Sequence, residues 1–101
     1  MNAVERLWRA LAGGEWGAAR AQFQPNATVA WPPDGERLAV DEYLARVLAR
    51  VAGGVSVRRV VTEGRYVAVE ARAGTAWCAA FYDLHDGLIA SATEYWVGEA
   101  A

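Results

Sequence analysis

The chain has 101 residues, ten basic and twelve acidic, with a net charge of −2. That length supports one domain, read as 1–101, whose core needs no metal or disulfide. The interleaved charges exclude the clustered positive face that nucleic acid requires, and a lone Cys78 excludes an internal disulfide.

In chain order, Val4, Leu7, Trp8 and Leu11 recur at helical spacing until Gly13-Gly14 stops the pattern. Trp16, Ala19 and Phe23 predict a second short helix closed by Pro25-Asn26. A β-prone run at 27–31 ends at Pro32-Pro33, and Asp34-Gly35 turns the chain into a brief extended piece at Arg37-Leu38. Asp41 is placed to cap a third helix with the apolar face Tyr43, Leu44, Val47, Leu48 and Val51, stopped at Gly53-Gly54. Four strands follow at roughly 55–63, 65–73, 76–85 and 88–97. Helices segregated from a long meander predict an α+β domain.

Both arms of the last hairpin, Trp77 to Trp96, are apolar or small on both faces, so cover is expected on two sides: helices on one, a partner subunit on the other. Its turn decides which side chains share a face, since a one-residue slip inverts them all. A two-residue turn at Asp86-Gly87 would put Glu94 and Trp96 with Trp77, Ala79, Phe81 and Asp83. A three-residue loop pairing Leu84 with Leu88 would put them with Cys78, Ala80 and Tyr82. The second is preferred, because small Ala80, Ala90 and Ala92 then leave room for a ligand while Trp77, Phe81, Ile89 and Tyr95 face a partner. The expected homodimer contact is therefore Trp77, Phe81 and Tyr95.

Five Trp, four Tyr and two Phe exceed what one small core readily absorbs, because indole and phenol edges need partners. Trp31, Tyr43, Cys78, Tyr82 and Trp96 are expected to line a pocket for an apolar or aromatic small molecule. Trp8 and Trp16 read as structural. Glu94 is the candidate acid or base, since an aromatic mouth would desolvate its carboxylate and raise its pKa; against this, a carboxylate near a strand end also pairs with arginine or reaches water. His85 and Asp86 are explained as turn residues, and Cys78 as a small core residue without a nearby base. One His, one Cys and scattered carboxylates make no metal site, and the glycine pairs are helix stops, so no metal or cofactor is expected. No apolar run approaches membrane-spanning length, and without a charged-then-apolar leader a cytoplasmic location is expected.

The run Phe23 to Pro32, F-x-P-x-A-T-V-x-W-P, followed by D-G-x-I at Asp86 and a terminal E-Y-W at Glu94, resembles the nuclear transport factor two-like superfamily in its SnoaL-like, ketosteroid isomerase-like branch. The resemblance covers nearly the whole chain. It implies a cone, with a strongly curved mixed sheet wrapped round the helices, an apolar pocket in the mouth, and commonly a dimer through the sheet. Ketosteroid isomerase chemistry uses an Asp base beside an oxyanion hole made of a Tyr and a protonated Asp. Carried onto this chain, those positions fall on Trp31, about Leu7 and about Ala80, so the three polar groups are absent. An epoxide hydrolase constellation has only Arg72 and Asp83 as raw material. The resemblance thus leaves two readings: an isomerase, cyclase or dehydratase acting through Glu94, and a non-catalytic ligand-binding or dimerisation module. A protein-docking module would show an apolar patch exposed outside any dimer contact.

Overall fold

The structure, a computed structural model, describes residues 1–98. Helix α1 (Ala3–Ala12) begins at Asn2, whose side chain accepts from the Glu5 backbone N–H while the Glu5 carboxylate accepts from the Asn2 N–H. This reciprocal cap satisfies two donors at the helix start. Its Val4, Leu7, Trp8 and Leu11 face is buried. After a corner at Gly13-Gly14, with Gly14 at a left-handed φ of 67°, helix α2 (Trp16–Arg20) leads into strand β1 (Phe23–Trp31).

Phe23 therefore opens the strand and does not close the second helix as its spacing suggested. It pairs with Ile89, and its ring meets Tyr43 edge-on. The register then shifts before resuming at Thr28, which accommodates Pro25 in an irregular stretch where its missing N–H breaks no regular ladder. A 3-10 turn at Pro32–Asp34, ended by Gly35 at φ 64°, reverses the chain into strand β2 (Glu36–Ala39).

Helix α3 (Val40–Arg50) starts two residues earlier than an Asp41 cap would require, with Ala39 in the cap position. Glu42 reaches back to the Ala39 N–H instead, and Asp41 pairs with Arg20 at 2.9 Å. Tyr43, Leu44 and Val47 are completely buried on the inner face of α3.

Strands β3 (Ser56–Glu63), β4 (Tyr66–Ala73), β5 (Ala76–His85) and β6 (Leu88–Val97) form the expected meander. The six strands make one curved, unclosed sheet in the order β2-β1-β6-β5-β4-β3, antiparallel except for β1 beside β6. The fold is thus α+β, with the helices on one face of a mixed sheet. On that face lie Val29, Val67, Val69, Ala71, Cys78, Ala80, Tyr82 and Ala92, all buried. Burial of each large apolar side chain there contributes ~1.5–3 kcal/mol.

The last hairpin reaches the preferred facing by an unexpected route. Its turn has two residues, Asp86 at φ 52° and Gly87 at φ 77°, with His85 opposite Leu88 and Leu84 opposite Ile89. This pair of left-handed residues matches the strand twist. The register shifts at Ala90, so that Ser91 faces Asp83, Ala92 faces Tyr82, Glu94 faces Ala80 and Trp96 faces Cys78. A β-bulge, and not a longer loop, turns Glu94 and Trp96 inward. Because the bulge lies beyond Ile89, that residue points inward with no exposed surface and leaves the outer set to which its size had assigned it. Trp77, Phe81 and Tyr95 stand together on the outer face, 40%, 51% and 40% exposed, with Phe81 and Tyr95 edge to face.

Candidate functional site

Four elements converge on Glu94. Strand β6 carries it inward, and Ala80 across the ladder is too small to cover it. Strand β1 delivers Trp31, α3 delivers Tyr43, β5 delivers Tyr82, and Trp96 lies two residues along β6. Glu94 has no solvent exposure.

Its carboxylate accepts four hydrogen bonds. The Trp31 and Trp96 indole N–H groups each donate to Oε1 at 3.1 Å, while the Tyr43 and Tyr82 hydroxyls donate to Oε2 at 2.7 and 3.1 Å. A carboxylate offers about four lone-pair sites, so the protein occupies them all. Trp8 extends the network by donating from Nε1 to the Tyr82 hydroxyl at 2.9 Å, which leaves that hydroxyl's proton for Glu94.

Burial pushes the Glu94 pKa above the ordinary carboxylate value, and the bonds from Tyr43, Trp96, Trp31 and Tyr82 pull the other way without cancelling it. Desolvation and the neighbouring Glu94 charge hold both Tyr43 and Tyr82 far above the usual phenol range. Burial, then Glu94, likewise raises the Cys78 thiol, so it is no nucleophile at neutral pH.

The mouth of the sheet is closed by an aromatic ladder. The Arg50 guanidinium, at the end of α3, lies 5.0 Å from the ring centroids of both Trp31 and Trp96. Trp96 in turn meets Trp8 at 6.5 Å, and Trp31 meets Tyr43 edge-on at 6.2 Å. Outside this layer is a cavity of about 150 Å³ lined by Trp31, Pro33, Asp34, Arg50, Glu94, Trp96 and Gly98. A second groove, of about 330 Å³ and mostly apolar, runs between α1 and β3 past Trp8, Ala12, Val55 and Val60.

Of the residues expected to wall a pocket, Trp31 and Trp96 line this mouth with Glu94, whereas Tyr43 and Cys78 are packed in the core and border none of the described cavities. Tyr82 is buried as a hydrogen-bond donor to Glu94 and borders a separate hollow beside Val61, Tyr66 and Phe81. Trp8 is buried and bonded to Tyr82 while bordering the second groove, and Trp16, read as structural with it, is instead 41% exposed. His85 is not a turn residue as expected but the exposed last residue of β5, paired with Leu88 and 3.5 Å from Asp83, which pairs with Arg65. Arg72 stacks on Trp77 at the outer face, apart from Glu94. Among the described residues no group of three His, Cys, Asp or Glu side chains could hold a metal.

Sequence reasoning missed Arg50. Its position in the last turn of an amphipathic helix is explained by the helix dipole alone, and nothing local announces two tryptophans from other strands. It also took Tyr43 for a pocket wall, where its hydroxyl is the shortest bond to Glu94.

No protein-family profile matches the chain, and no curated protein matches it in sequence. Solved structures do match. A putative ketosteroid isomerase from Kribbella flavida superimposes with a TM-score of 0.76 at 22% identity, over 98% of this chain and 78% of that one. A putative polyketide cyclase from Streptomyces antibioticus, IdmH, gives 0.79 at 16% identity, over 93% and 88%. A hypothetical protein with a ketosteroid isomerase-like fold from Catenulispora acidiphila, solved in complex with trimethylamine, gives 0.73 at 18% identity, over 92% and 83%. These likenesses establish the fold as that of the nuclear transport factor two-like superfamily.

Proposed function

We propose that this chain is a small-molecule-binding domain whose ligand docks at the Trp31, Arg50 and Trp96 mouth, with Glu94 organising that mouth and not shuttling protons. The observation that carries the reading is the fourfold ligation of Glu94. A general base needs a free lone pair within reach of the substrate proton, and a general acid needs its proton aimed at the substrate. Here both carboxylate oxygens hold two protein donors each. What the carboxylate does instead is fix the planes of two indoles at the mouth, which gives an apolar or aromatic ligand flat walls. The neighbour solved with trimethylamine supports the fold's use in holding small molecules.

The rival reading, an isomerase, cyclase or dehydratase, has one observation in its favour: burial raises the Glu94 pKa towards the range useful for proton transfer. It requires a substrate that displaces a tyrosine or an indole from the carboxylate. The domain further reads as a homodimer through the outer face of β5 and β6, where Trp77, Phe81 and Tyr95 are exposed beside Val61 and Val97. The free, buried Cys78 accords with a cytoplasmic location; no described helix is long and apolar enough to cross a membrane.

A thermal-shift screen of mixed small molecules tests the reading. Compounds that raise the melting temperature should lose their effect in Trp31→Phe, which retains a ring but no indole donor, and keep it in Trp16→Phe. Hits that survive Trp31→Phe, or no hits at all, would refute the assignment.

A further inference from the structure

We infer that the mouth recognises a carboxylate, with Arg50 as its counter-ion, so that the ligand is a small organic acid carrying a flat apolar body. This rests on the mouth being a ligand site, and it adds the chemical class. Three observations carry it.

Arg50 is half-buried at the end of α3, and its guanidinium carbon stands over two indole rings, 5.0 Å from each centroid. Contact with ring faces leaves a guanidinium its N–H edge for a polar partner, and that edge fits a carboxylate in a bidentate fork.

Among the described residues no carboxylate lies within ion-pairing distance of Arg50, unlike Arg20, Arg46, Arg59 and Arg65 and like the other five arginines, none of which lines this cavity. Nor does a hydrogen-bond acceptor among the described residues take one of its five N–H groups, although it borders the cavity.

The acids that line the cavity with Arg50 do not serve as that partner. Glu94 lines the same cavity, yet four other donors occupy its oxygens, and Tyr43 and Tyr82 hold Oε2 on the core side. Asp34 is exposed at the rim, where water screens it. The result is a cation oriented by aromatic walls, with its edge unmatched, opening into a space of about 150 Å³ also bordered by Pro33. A carboxylate can dock there without breaking the contacts between Arg50 and the two indoles, whereas a cationic ligand would meet the like charge of Arg50.

Benzoate, its neutral isostere benzamide and the cation benzylamine discriminate the alternatives, with the Trp31 and Trp96 indole N–H resonances as readout. Benzoate should shift both resonances saturably and bind at least tenfold tighter than benzamide, with benzylamine weakest. Arg50→Gln should bring benzoate down to the benzamide level, and Arg50→Lys should lose most of the preference because an ammonium cannot reproduce the fork. In the unaltered protein, added salt should weaken benzoate and leave benzamide unchanged, a test independent of whether the variants fold. Equal affinity for benzoate and benzamide, a preference for benzylamine, or a benzoate preference that survives Arg50→Gln would overturn the carboxylate assignment and leave the mouth as a ligand site. If none of the three probes moves either indole, the ligand-site reading fails with it.

Discussion

The Tyr43 hydroxyl donates to Glu94 Oε2 at 2.7 Å, across an interface between α3 and β6 that both residues enter fully buried. This bond ties the helix to the sheet at the point where the carboxylate also collects two indoles and a second tyrosine. The centre of the domain is therefore a polar hub inside an apolar shell. Its energetics differ from those of the surrounding packing, because a buried donor that loses its acceptor costs more than the bond had contributed.

Removing the acceptor should expose that asymmetry. In Glu94→Leu the two hydroxyls can rotate, but the Trp31 and Trp96 N–H groups cannot, and each orphaned donor costs ~1–3 kcal/mol. A loss on the order of 4 kcal/mol is expected by urea unfolding, as the sum over two such donors. Glu94→Gln, whose carbonyl can still accept from both indoles, should lose less than half of that; equal stability of the two variants would contradict the hub.

The hub also sets a pH dependence. Burial raises the Glu94 pKa in the folded state above its ordinary value of 4.5, so folding favours the protonated form. The contribution is fully present below the unfolded pKa and is lost as pH rises through the folded pKa. The stability of the native protein relative to Glu94→Gln should therefore fall as pH rises from about 4.5. Unfolding free energies of both proteins across this range measure it, and a constant difference would show an unshifted carboxylate.

Tyr43→Phe removes the strongest of the influences that lower the Glu94 pKa. The pH at which that stability difference is lost should move upward. At high pH the variant should lose ~1.5–3 kcal/mol, as for a hydrogen bond to a charged group. A midpoint that stays in place would mean that Tyr82 and the indoles already hold the charge by themselves.

Much of this fold is legible in the sequence because its signals are local. Asn2 and Glu5 cap α1, Gly13-Gly14 ends it, Gly53-Gly54 lies just beyond the Val51 cap of α3, and β3 to β6 are bounded by Glu63-Gly64, Ala73-Gly74 and Asp86-Gly87. The inward facing of Glu94 and Trp96 was legible from the sizes of Ala80 and Ala92, although the bulge at Ala90 that produces it was not, since a bulge leaves no residue signature comparable to a turn glycine. The same oversight put Ile89 on the wrong face. Phe23 and Asp41 were misassigned because periodicity and cap preference are weak against tertiary pairing with Ile89 and Arg20. Arg50 was invisible because its meaning comes from two strands far along the chain.

The outer face carries its own prediction. Phe81 is 51% exposed and edge to face with Tyr95, beside Trp77 on the same face. A charge placed there should be tolerated by the folded chain and not by a partner subunit. Phe81→Asp should sediment as a monomer with a native circular dichroism spectrum, while the unaltered protein sediments as a dimer. A monomeric unaltered protein, or a dimeric variant, would contradict this assignment of the contact.

The most direct measurement is the indole region of a proton–nitrogen correlation spectrum, in which five tryptophans give five resolvable probes. On titration with a small-molecule ligand, Trp31 and Trp96 should move together and Trp8 less, because Glu94 couples the first two at the mouth, while the exposed Trp16 and Trp77 stay fixed. Saturable shifts at Trp16 or Trp77 with Trp31 and Trp96 unmoved would place the ligand elsewhere and contradict the account.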